Sequence, residues 1–268
     1  MASPSGVFEI GAPHPTEISG VAAVPGGYAV VGDEEPTHGC IWPGGARFRL
    51  GAGLQGPESI GVGFRPDGKA LWMVLGENKR RLVDLDGGFA TFGKTLKEVS
   101  GRGLEGLAVR WRNKSWQVAV SWEGGFYDPD SKRRGLWALP RVGVLRWRRG
   151  RKQKARLDRL FELDVPRPSR TERFRVPDLI WDGDGILALL ASTDEQREAR
   201  SHVWLQRFDL EGRQSGNPVK LEDLWGPYAN GKNWEGLDRT LDGVGLVMAY
   251  DAQASQEHRV LVVFPTPD

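Results

Sequence analysis

The stretch EGLAVRWRNKSWQVAVSWE, residues 105–123, reads as an acid, an apolar strand, a hairpin turn and a second apolar strand that ends at another acid. Alternation around a short polar turn is the signature of a β-hairpin. The same plan recurs four more times: EISGVAAVPGGYAVVGD from Glu17, ESIGVGFRPDGKALWMVLGE from Glu58, DLIWDGDGILALLASTD from Asp178 and EGLDRTLDGVGLVMAYD from Glu235. A third β-like run follows each hairpin, at His38–Trp42, Arg80–Leu85, Gly135–Trp147, His202–Leu210 and His258–Phe264. Fourth runs are placed at Arg47–Leu50, Phe89–Phe92, Arg159–Leu163 and Val219–Leu224.

Four-stranded units whose leading acids stand 41, 47, 73 and 57 residues apart match propeller blades, which use about 40–50 residues each. The expected fold is all-β, a five-bladed β-propeller forming one domain over residues 1–268. The last unit has only three strands, and Val7–Ile10 has no unit of its own; pairing the two closes the ring and removes an open sheet edge. A sixth blade would have to hide in the 73-residue interval. That interval carries a basic insertion around residues 127–157, and from Lys132 to Arg159 there are twelve Lys or Arg against the single acid Asp158.

Composition narrows the function classes. The chain has 268 residues, 39% hydrophobic, with no apolar run near the roughly 20 residues that span a bilayer. Cys40 is the only cysteine, which excludes an internal disulfide and a cysteine-based zinc site. Residues 1–10 lack the basic start and apolar core of a secretion signal, so a cytoplasmic monomer is expected. A net charge of +2 does not by itself call for nucleic acid; the basic 132–159 stretch leaves that partner open. No Walker-type phosphate loop and no G-x-S-x-G elbow is present.

In an antiparallel blade the start of the first strand and the end of the second lie on one face. Glu17, Glu58, Glu105, Asp178 and Glu235 are therefore expected to ring one mouth of the central channel, and Asp33, Glu77, Glu123, Asp194 and Asp251 to form a wider ring around it. Taken singly each acid reads as a solvated turn residue. Five converging carboxylates repel one another and call for a counter-ion, and oxygen ligands favour calcium, with magnesium or manganese as alternatives. The inner five are the expected metal ligands, and Asp33, Glu123 or Asp251 the expected general base. His38, Lys79, Arg80, Arg134, His202 and His258, with Glu77 and Asp194, are candidates for binding an anionic substrate, and Trp122 and Trp234, each beside a ring acid, for a sugar or base platform. The chemistry expected is metal-dependent hydrolysis of a phosphorylated or otherwise anionic small molecule. A glycoside hydrolase or lactonase/esterase remains an alternative, as does a non-catalytic scaffold with a structural ion.

Pro57-Glu58-Ser59-Ile60, Leu104-Glu105-Gly106-Leu107-Ala108 and Asn233-Trp234-Glu235-Gly236-Leu237 resemble the inner-strand motif D/N-x-E-G-L-A of phytase-like and esterase-like propeller proteins. The phrase from Asp178 to Asp184 makes the chain most similar to an uncharacterised bacterial branch of them. The resemblance covers Glu17 to Phe264 and implies calcium-dependent phosphoester chemistry. Phytases of this type have six blades, whereas calcium-dependent nucleotidases have five.

Overall fold

The computed structural model describes residues 6–10, 17–35, 37–51, 54, 56–76, 81–86, 88–91, 104–122, 139–148, 154–165, 172–194, 200–225, 233–251 and 260–265. Strand β1 (Gly6–Glu9) precedes the first blade, which is β2 (Gly20–Val24), β3 (Gly27–Val31), β4 (His38–Trp42) and β5 (Ala46–Arg49). The second is β6 (Pro57–Phe64), β7 (Ala70–Gly76), β8 (Arg81–Asp84) and β9 (Gly88–Thr91), and the third β10 (Leu104–Arg112), β11 (Ser115–Trp122), β12 (Arg141–Arg148) and β13 (Lys154–Glu162). The fourth is β14 (Glu172–Asp182), β15 (Gly185–Asp194), β16 (Arg200–Phe208) and β17 (Gln214–Lys220). A one-turn helix, α1 (Leu221–Trp225), leads to the fifth, with β18 (Asn233–Arg239), β19 (Gly245–Asp251) and β20 (Val260–Pro265).

Each blade is an antiparallel meander, and the fifth is completed by β1, in the order β1-β20-β19-β18. The inner strands pack in a closed cycle, β2 on β6, β6 on β10, β10 on β14, β14 on β18 and β18 on β2. The chain folds as a five-bladed β-propeller closed by its N-terminal strand. Two expectations are corrected. Residues 221–224 turn into α1 instead of continuing a strand, and Lys154–Arg156, expected as inserted loop, begin β13.

The blades adhere through apolar faces. Trp116, Trp122 and Trp147 fill the layer between blades two and three with Leu71, Met73 and Leu75. Trp234 fills the layer between blades four and five with Leu189, Leu205 and Met248. Neighbouring inner strands approach so closely that glycine is required at two points: a Cβ on Gly20 would stand 2.7 Å from Ser59 Cα, and one on Gly106 would stand 2.8 Å from Asp178 Cα.

Candidate functional site

The close approaches align the inner strands residue by residue. Gly20 lies against Ser59, Gly106 against Asp178 and Gly236 against Val21, so Gly20, Ser59, Gly106, Asp178 and Gly236 occupy one level around the axis. Four of the five positions hold Gly or Ser. The space they leave is taken by the Asp178 side chain.

Asp178 is fully buried. Its Oδ1 accepts hydrogen bonds from Leu107 N at 3.0 Å, Leu179 N at 2.9 Å and Ser59 Oγ at 3.3 Å, and its Oδ2 accepts one from Leu237 N at 2.8 Å. Leu107, Leu179 and Leu237 are equivalent residues of blades three, four and five. One carboxyl group therefore plugs the channel and ties four blades together. Burial pushes its pKa well above the ordinary carboxylate value, while the N–H groups of Leu237, Leu107 and Leu179 pull it down and Asp238 pushes it up again. Three donors meet at Oδ1 and one at Oδ2, so the Asp178 carboxyl is committed to the backbone and serine groups of the inner strands.

One position earlier on each inner strand lies a second level: Ser19, Glu58, Glu105, Pro177 and Glu235. Strand register shifts at this level in blades two to five, between Pro57 and Ser59, Leu104 and Leu107, Arg175 and Asp178, and Trp234 and Gly236. Bulges re-aim side chains and recur next to functional sites. Three of the four bulges carry a glutamate. The equal ring of five acids expected from sequence is thus corrected to three glutamates, a serine and a proline: Glu17 lies two residues before Ser19, and Asp178 belongs to the level below.

The three glutamates differ in surroundings. Glu105 is buried and faces Arg175 across the blade boundary, Nη2 to Oε2 at 3.6 Å. Glu235 is half-buried and accepts a hydrogen bond from Asn233 Nδ2 at 2.6 Å. Glu58 is half-buried. Two serines brace this level: Ser19 Oγ accepts from Asp33 N at 3.0 Å, and Ser121 Oγ accepts from Gly106 N at 2.8 Å and donates to Val176 O at 3.2 Å. Among the described residues no three His, Cys, Asp or Glu side chains converge to hold a metal ion. With Asp178 turned to inner-strand amides and Glu105 facing Arg175, no calcium or magnesium site is assembled among the described acids.

Of the outer ring, Asp33 is exposed just beyond β3. Asp194 and Asp251 end β15 and β19, paired in register with Glu172 and Asn233. His38 opens β4, half-buried, its Nδ1 2.8 Å from Thr37 Oγ1, and His202 sits in β16 opposite Ser192. Glu77, Lys79, Arg80, Glu123, Arg134 and His258 lie outside the described residues. Trp122 and Trp234 are 1% and 0% exposed, so they pack blades and offer no open ring face; this corrects their expected role as platforms. Arg175 is the mouth residue that sequence reading missed. The signal the sequence offers for it is its place three residues before Asp178, just ahead of the repeated segment.

At the opposite end of the channel the inner strands finish in a layer of paired charges. Asp238 Oδ2 accepts from Ala23 N at 2.7 Å, joining blades five and one. Asp182 accepts from Arg207 Nε at 2.7 Å and from Arg239 Nη2 at 2.5 Å. The Arg110 guanidinium lies 3.6 Å from the Trp181 ring centroid. Between this layer and Asp178 a cavity of about 100 Å³ remains, lined by residues such as Val62, Val109 and Ile180.

No family model matches the chain. No curated protein matches it either. Among solved structures it is similar to an α-L-arabinofuranosidase from Lactobacillus brevis, at 9% identity and a TM-score of 0.37, over 77% of this chain and 89% of that one. It is also similar to hydrazine synthase from Kuenenia stuttgartiensis, at 11% identity and a TM-score of 0.44, over 97% and 66%. A streptogramin B lyase gives 10% identity and a TM-score of 0.42, over 97% of both chains. At these scores the likenesses carry no argument about the site.

Proposed function

We propose that the protein is a hydrolase of a small anionic substrate, acting at the mouth of the central channel where the inner strands begin. The observation that carries the reading is the placement of Glu58, Glu105 and Glu235 on equivalent bulges of three blades, with Arg175 3.6 Å from Glu105. An arginine beside the mouth supplies a planar, permanently charged fork suited to a phosphate or carboxylate group. Glu105 fixes that fork from one side. Glu235, oriented by Asn233, stands as the general base toward water or the general acid toward a leaving group.

The channel cannot pass the substrate through, since the Asp178 carboxyl fills the axis beneath the glutamates. Substrate enters and product leaves by the same mouth. Rigid inner strands hold the acids, so little ordering is needed on binding.

The test is turnover of a panel of phosphate monoesters, nucleotides, uronic-acid glycosides and lactones, with calcium, magnesium, manganese or a chelator as separate arms. Hydrolysis of an anionic member, lost in Glu235→Gln and weakened in KM by Arg175→Gln, supports the reading. Absence of turnover in every arm overturns it and leaves a binding propeller.

A further inference from the structure

A second site lies on the opposite face, where the blade-two hairpin turn, the blade-three hairpin turn and the end of β12 meet. A groove of about 680 Å³ opens there, lined by Arg65, Lys69, Lys114, Arg146 and Arg148 together with Trp111, Trp116 and Trp147, and no acid lines it. Asp67 engages Arg65 at 3.0 Å and Asp158 engages Arg146 at 3.0 Å. Lys69, Lys114 and Arg148 make no ion pair among the described residues.

The groove continues across Asn113 and Arg146 into a neighbouring depression of about 440 Å³ that adds Arg110, Arg112 and Arg159 and one acid, Asp158. The Arg112–Asp184 and Arg159–Glu211 pairs there are exposed, and exposed pairs contribute little and exchange readily for another anion. Burial chiefly, with the neighbouring Arg112 adding to it and Asp184 opposing, draws the Arg110 pKa down to about 10. The result is a track of cations, not a single anion pocket.

The turn that projects Lys114 adds a backbone observation. Asn113 and Lys114 are both left-handed, at φ 50° and 57°, the geometry of a two-residue type I′ hairpin, whose second position favours glycine. A lysine there gives up local stability and places a charge at the groove's rim.

We propose that this track binds single-stranded nucleic acid, with phosphates on Lys69, Lys114 and Arg148 and a base against the half-buried Trp111. Trp111 is held edge-on to Trp116, with ring centroids 5.1 Å apart, and the Arg65 guanidinium lies over its ring, 4.5 Å from the centroid; an arriving base takes the place of that guanidinium, whose charge then meets a phosphate. Cations interleaved with aromatic rings suit a polymer of alternating phosphate and base, the common logic of single-strand grooves. A duplex keeps its bases stacked and paired, away from the indole, and a bare polyanion would make no use of it.

The experiment is fluorescence anisotropy of the full chain with a labelled oligo-dT, a labelled duplex and labelled heparin across a salt series. Tighter binding of the single strand is expected, with log K falling against log salt at a slope near −2, about 0.7 per phosphate contacted for three contacts. Lys69→Ala with Arg148→Ala should flatten the slope by more than half. Lys114→Gly should weaken binding while raising the melting temperature, which separates binding from folding. Trp111→Leu should weaken binding at an unchanged slope. Heparin or duplex binding as tightly as oligo-dT, or a response unaltered in these variants, overturns the proposal.

Discussion

The carboxyl group of Asp178 in blade four accepts a hydrogen bond from the backbone N–H of Leu107 in blade three, 71 positions away in the chain, at 3.0 Å. The equivalent leucine of blade five, Leu237, donates to the other oxygen at 2.8 Å. A propeller needs its inner strands held at a fixed radius, and here a side chain on the axis does so by satisfying amides that no strand partner reaches. Burying those N–H groups without an acceptor would cost about 1–3 kcal/mol each.

Asp178→Ala is therefore expected to destabilise the fold by at least about 3 kcal/mol, since it orphans several donors at once. Asp178→Asn is milder because one carbonyl oxygen still accepts. Denaturant unfolding followed by tryptophan fluorescence checks the order; equal stability of wild type and Asp178→Ala would show that the bonds to Leu107 and Leu237 contribute nothing.

Stability should fall as pH rises from about 4 to about 7. Asp238 is pushed up to about 7 by burial, against the pull of the Ala23 and Arg239 N–H groups and the Arg239 charge. Its folded pKa lies above the unfolded value of about 3.9, so between the two the folded state holds the extra proton. The stabilisation is complete below the unfolded value and is lost as pH rises through the folded one, at up to about 1.4 kcal/mol per pH unit. Asp178 is shifted in the same direction. Asp238→Asn should flatten the profile in chemical denaturation at pH 4.5, 6 and 7.5; an undiminished slope would place the titration elsewhere.

Trp234→Ala should cost about 3–5 kcal/mol, the usual range for emptying a buried indole site. Its ring is fully buried, edge-on to Tyr250 with centroids 5.1 Å apart. The measurement is the midpoint of thermal or urea unfolding. A near-wild-type midpoint accompanied by lost sugar or nucleotide binding would restore the platform role that its burial denies.

Cys40 should resist thiol reagents until the protein unfolds. It is 2% exposed, and burial pushes its thiol up to about 11 against the opposing effect of Arg47, so thiolate is scarce and inaccessible at neutral pH. Reaction with an aromatic disulfide reagent, native against denatured, reads this directly; rapid native labelling would contradict it.

The blade count was legible because four of the five hairpins turn on glycine-bearing pairs and each inner strand begins near an acid. The acids themselves were harder to place. Reading by chemistry aligned Asp178 with Glu105, whereas the register aligns Pro177 with Glu105 and Asp178 with Gly106. Bulges add residues to one strand only, so spacing along the chain does not give height along the axis. A readable clue existed: Val176-Pro177-Asp178-Leu179 overlays Leu104-Glu105-Gly106-Leu107, with a side chain where three other blades use glycine. Trp122 and Trp234 were misjudged because proximity in sequence to a ring acid says nothing about which face of the strand a ring occupies. In strands, neighbours point to opposite sides.

Along the axis Asp178 is a structural carboxyl, and the proposed catalytic glutamates stand one level above it. The most direct measurement is turnover per folded molecule of the best panel substrate by Glu235→Gln beside Asp178→Asn. Glu235→Gln should keep the wild-type melting temperature and lose about 100-fold or more in kcat, the scale of a missing general acid or base. Asp178→Asn should melt lower while its folded fraction turns over near the wild-type rate. Full activity in Glu235→Gln, or abolished activity in well-folded Asp178→Asn, would contradict the account.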